Sequence, residues 1–105
     1  MQQRDYLERM IEQLAAAVAR AAGLARDGKA DEAVHELDEA WTTALGMREK
    51  DALRLDDSTL RMMLGAKTDV VVTLLQARAD VEASRGADAL AAALRKRALL
   101  LADAR

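Results

Sequence analysis

"DGKADEAVHELDEAW", residues 27–41, decides the fold. It holds the chain's only histidine, His35, among the carboxylates Asp31, Glu32, Glu36, Asp38 and Glu39, which suggests a metal-binding helix. It also places Ala33 and Ala40 after Gly28, which suggests a turn followed by a closely packed helix. A helical wheel separates the two readings. At about 100° per residue, Ala33, Val34, Leu37, Ala40, Trp41 and Ala44 form one unbroken apolar stripe. With Leu37 at its centre, Glu32, His35 and Glu39 fall toward the opposite pole, in water. A di-metal site in a helical bundle must point inward, and it needs a second Glu-x-x-His besides Glu32 to His35. With one histidine, only a homodimer could supply it. The stretch is therefore expected to be the turn and second helix of a packing hairpin. A metal-binding or metal-dependent protein using Glu32, His35 and Glu39 is the alternative.

Upstream, residues 4–26 place Leu7, Met10, Ile11, Leu14, Val18, Ala21 and Ala25 on one helical face. Gly28 supplies the left-handed residue that ends this first helix. Downstream, Gly46 stops the second. The stretch "MREKDALRLDDSTLRMMLGAK", residues 47–67, reads as two short helices near 48–54 and 58–64, the latter capped by Asp57 or Ser58. Met62 and Met63, with Leu60 and Leu64, are expected to plug the hairpins. Thr68 is the expected cap of a long helix over 69–84. "VVVTLL" suits a strand by propensity, but helical spacing holds through Val70, Val71, Leu74, Leu75 and Val81. The wide apolar arc of this helix implies a central position covered on more than one side. After Gly86, a last helix runs over 87–104 with Leu90, Ala91, Leu94, Ala98 and Leu101 as its stripe.

Composition agrees. The 105 residues include no proline, so nothing interrupts the helices, and 2% aromatics, which suits sheets poorly. No cysteine is present, which excludes disulfides, thiolate catalysis and Cys-ligated zinc. A net charge of -2 disfavours nucleic acid and anionic membranes as partners. The short basic run Arg95–Arg97 is expected to balance neighbouring acids rather than phosphates. The N-terminal "MQQRDYLERMIEQL" has no apolar core of a signal peptide, and no apolar run is long enough to span a membrane, so a cytoplasmic protein is expected. The serines and threonines have no paired base around them and the glycines are isolated. No catalytic residue, cofactor or enzymatic activity is therefore expected.

A shift of 58 residues places Gly28 on Gly86, Ala33 on Ala91, Ala40 on Ala98, Arg20 on Arg78 and Ala21 on Ala79. Each half thus reads as long helix, glycine turn and second helix. These Gly and Ala spacings resemble the tetratricopeptide hairpin. The first-helix positions where that family carries Trp, Leu and Tyr hold Ala17, Arg20 and Leu24, then Leu75, Arg78 and Glu82, and the period is far from 34. Residues 4–46 also resemble an uncharacterised family of short bacterial proteins with an Asp-Tyr, Arg, Ile-Glu-Gln-Leu opening and tetratricopeptide-like helices. That resemblance implies a fold and no site. The expected architecture is all-α, with two tetratricopeptide-like hairpins at 1–46 and 68–105 and a short-helix insertion at 47–67.

Two features exceed what packing alone requires. Arg78 falls inside the apolar arc of its helix, so either Glu82 at i+4 serves it or its head reaches a groove. Leu99 and Leu100 point away from the first hairpin, and Val72 adds to the apolar excess. Arg78, Leu99 and Leu100 are the candidate partner-binding residues of a protein-interaction or self-association module, most simply a homodimer. A peptide or small ligand in the concave face of the hairpins is a further possibility. Trp41 lies on the stripe and is expected in the core.

Overall fold

The computed structural model describes residues 2–103, and its regular structure is entirely helical. The helices are α1 (Gln2–Arg26), α2 (Ala30–Leu45), α3 (Glu49–Ala52), α4 (Asp57–Leu64), α5 (Thr68–Ser84) and α6 (Asp88–Asp103), with one 3-10 turn at Gly65–Lys67. The expected last-helix residue Ala104 lies outside the described residues. No described helix is long and apolar enough to cross a membrane.

The two glycine turns close in the same way. Gly28 and Gly86 have φ of 77° and 83°, a region that side chains with a Cβ rarely adopt. The Lys29 N–H donates to the Leu24 carbonyl at 2.8 Å, and the Gly28 N–H to that of Ala25 at 3.1 Å. Fifty-eight residues on, the Ala87 N–H donates to Glu82 at 2.9 Å and the Gly86 N–H to Ala83 at 3.1 Å. Both are the paired bonds that satisfy the last carbonyls of a helix ending in a left-handed glycine. Ala33 and Ala91, both fully buried, then let each second helix approach its first.

α1 pairs with α2, α5 pairs with α6, and α5 also packs on α1 and α2. The wide arc of α5 is buried accordingly, through Val70, Val71, Leu74, Leu75, Ala79 and Val81. Trp41 and Leu37 are core residues of α2. The insertion lies over α5 and α6: Ala52 and Leu60 are buried, and Arg97 of α6 donates to Asp57 at 2.5 Å, to the Leu53 carbonyl at 3.2 Å and to the Leu55 carbonyl.

Several local expectations are corrected. α3 spans 49–52 rather than 48–54. Asp56, not Asp57 or Ser58, is the N-cap residue of α4, and Thr59 Oγ donates to its carboxylate. Thr68 does not cap α5. It continues from the 3-10 turn as the first helical residue, buried, with its hydroxyl unpartnered among the described residues. Ile11 is exposed and Ala17 takes its place in the core, because α2 approaches along Met10, Leu14, Ala17 and Ala21. Leu90 is exposed because the insertion covers that side of α6 only two turns on, at Arg97. Met62 and Met63 face outward, and α4 packs through Leu60 and Leu64.

Because open space surrounds both turn glycines, Gly28→Ala and Gly86→Ala suffer conformational strain without a clash. Each substitution is expected to cost about 1–2 kcal/mol in chemical denaturation with unchanged helicity. Trp41→Ala, which opens a cavity, is expected to cost about 3–5 kcal/mol.

Candidate interaction surfaces

Among the described residues, three surfaces of the long helices could meet another molecule. The first is the outer side of α6. Leu99 and Leu100 are 61% and 48% exposed, so they do point away from the first hairpin and the insertion leaves them open. Ala89, Ala92 and Ala93 are exposed one to three turns earlier on the same helix.

The second surface is a groove beside Arg78, of about 660 Å³, bordered by Val34, His35, Asp38, Thr42 and Glu49. Arg78 does not offer a free head there. Its Nε donates to Glu82 and its Nη1 to Glu49, both at 2.6 Å, and its side chain is 18% exposed. Glu82 pairs at i+4 as the sequence suggests. Glu49 comes from the insertion, 29 residues away, and no local pattern announces it. Arg85 closes on Glu82 from the other side, with Nε to Oε1 at 2.8 Å and Nη2 to Oε2 at 3.0 Å, and it reaches Asp31 of α2 at 2.7 Å. A chain of alternating charge therefore runs Asp31, Arg85, Glu82, Arg78, Glu49. It ties α2, α5 and α3 together.

Two carboxyls of this chain, Glu82 at its centre and Glu49 at one end, are shifted in opposite directions. Hydrogen bonds from Arg85 first, then from Arg78, hold the Glu82 carboxyl down at about 2. Burial pushes Glu49 up, against the pull of Arg78, and its second oxygen is buried with no hydrogen-bond partner among the described residues.

The third surface is a groove of about 600 Å³ between α1 and α2, with Met10, Leu14, Ala17 and Ala40 inside and Arg20 and Glu36 at its rim. Residue-type patterns do not reveal it, because it arises from small side chains on facing helices. The opening stretch lies between these grooves. His35 is 73% exposed and its Nε2 sits 3.0 Å from Glu39, itself 65% exposed. Glu32 is exposed too. No cluster of three His, Cys, Asp or Glu side chains among the described residues is arranged to hold a metal ion. In the basic run, Arg95 pairs with Asp80 at 3.1 Å and Arg97 with Asp57, as expected for charges balanced within the chain.

No protein-family model, no curated protein and no solved structure matches the chain.

The sign of the acid dependence follows from Glu82. A carboxyl at about 2 in the folded chain and 4.5 otherwise contributes stability that is complete above pH 4.5 and is lost as pH falls toward 2. The loss is expected to be about 3 kcal/mol across that window. Glu49 acts with the opposite sign: its raised value favours the protonated fold, a contribution lost as pH rises through that value. Glu82→Gln should flatten the acid limb of a denaturation series and lower stability at pH 7 by about 3 kcal/mol, since it removes the buried charge that Arg78 and Arg85 share and leaves them only Glu49 and Asp31.

Proposed function

We propose that this chain is a protein-interaction module of tetratricopeptide-like hairpins, and that its α6 face mediates self-association as a homodimer. The observation that carries this reading is the exposed pair Leu99 and Leu100 on a helix whose outer side also presents Ala89, Ala92 and Ala93. A helix whose outer side meets only water carries a polar face there. This one is bulky and apolar toward its C-terminus and small toward its N-terminus. An antiparallel pairing of two α6 helices about a twofold axis sets each leucine pair over the alanines of the other copy. Lys96 between them can lay its methylene stem along the contact and keep its ammonium at the rim. Arg78 supports the module indirectly, by anchoring the insertion through Glu49.

Light scattering after gel filtration is expected to give twice the chain mass for the unaltered protein at tens of micromolar. The double variant Leu99→Glu, Leu100→Glu should run as a folded monomer, since burial of each leucine contributes about 1.5–3 kcal/mol. A monomer at all concentrations, or a dimer unaffected by the double variant, rules out the α6 contact.

A further inference from the structure

The 58-residue correspondence allows each hairpin to be compared with the other, side chain by side chain. In the second hairpin the groove between α5 and α6 is floored by Val71, Leu75, Leu94, Ala98 and Leu101, all buried. The insertion covers it. Glu49 of that segment meets Arg78 on α5, and Asp57 meets Arg97 on α6. The corresponding groove of the first hairpin has Gln13, Ala17, Glu36, Ala40 and Thr43 at the same positions and is the open recess of about 600 Å³.

The recess is not simply a polar end. Met10, Leu14 and Ala17 keep an apolar floor, and Ala17 stands where the second hairpin has Leu75, which leaves room for a larger incoming side chain. Its rim also follows the filled groove in altered form. Arg20 stands where Arg78 stands, 58% exposed, with one longer contact of 3.4 Å to Glu36. Glu39 stands where Arg97 stands, so one of the two charges is reversed.

From this we infer that the α1/α2 groove docks a short amphipathic segment from another protein, made like α3 and α4 of two brief helical turns. The filled groove specifies the chemistry of that segment. A bulky apolar residue enters over Ala17. A carboxylate lies over Arg20, as Glu49 lies over Arg78. A basic side chain lies over Glu39, where the insertion carries Asp57 over Arg97. The site is separated from α6 by α5 and does not depend on self-association.

The probe is a labelled peptide of residues 47–67 with Asp57→Lys, compared with the unaltered peptide, and titrated into the full-length protein by fluorescence anisotropy. The Asp57→Lys peptide is expected to bind at least about tenfold tighter than the unaltered one. Glu39→Arg, a change at an exposed rim position, should reverse that preference. Ala17→Trp should weaken the Asp57→Lys peptide at least about tenfold, with circular dichroism confirming an intact fold. The Leu99→Glu, Leu100→Glu protein should still bind, which separates this site from the dimer contact. Absence of binding, equal binding of the two peptides, or binding that survives both Glu39→Arg and Ala17→Trp unchanged overturns the proposal.

Discussion

α5 carries apolar side chains over so wide an arc that no single neighbour can bury them. Val70, Leu74 and Val81 lie on one side of the arc, Leu75 and Ala79 on the other, and Val71 between them, all essentially inaccessible. One helix covers a stripe of roughly 100°. α5 therefore requires the first hairpin, α6 and the insertion together, and the remaining architecture follows from supplying those three covers. The glycine turns matter because they bring α2 back along α1 and α6 back along α5 at small separation. Ala33 and Ala91 matter because a larger residue at either place would hold the paired helices apart.

Within that apolar arc sit two charged side chains, Arg78 and the more deeply buried carboxylate of Glu82. Burying that carboxylate alone would be costly, and a buried ion pair is by itself weak evidence of stability. Here the carboxylate receives three hydrogen bonds from two arginines, and each arginine gives one further donor to a second carboxylate, Arg85 to Asp31 and Arg78 to Glu49. The network thus joins segments that apolar contact alone leaves loosely specified. α3 is a single turn with one buried residue, Ala52, and could slide along α5. The Glu49 to Arg78 pair fixes where it stops, and the Arg97 contacts with Asp57 and the Leu53 and Leu55 carbonyls fix the segment that follows.

Much of this was legible in the sequence for a definite reason. Helix periodicity and glycine turns are local signals, so the long helices were placed to within a residue or two. The wide arc marked α5 as central, and the outward direction of His35, Leu99 and Leu100 followed from the wheel. What escaped was long-range or depended on phase. Glu49 carries no mark of its partner 29 residues on. Ile11 and Leu90 sit at the edges of apolar stripes, where the neighbour's position, not the wheel, decides exposure. Asp56 rather than Asp57 precedes α4 because the helix must present Leu60 to the core. The α1/α2 groove escaped because Ala17 lies off the stripe read for α1, and a small side chain carries no mark of whether anything covers its neighbours.

The comparison of the hairpins shows how one supersecondary unit becomes two different surfaces. Leu37 and Trp41 are buried in α2, whereas Arg95 and Leu99 hold the same positions in α6 and face outward. The charge at Arg95 is what an uncovered end requires, and it is held locally by Asp80. Leu99 follows the opposite logic, since it keeps an apolar group where the first hairpin has a buried tryptophan. At the turn, Leu24 in the first hairpin becomes Glu82 in the second, and that one change creates the acceptor for Arg78 and Arg85. Among the described residues Arg20, the counterpart of Arg78, pairs with Glu36 alone, at an exposed edge. A charge in that setting is weakly held in water and gains most from a partner that brings its own carboxylate and excludes solvent.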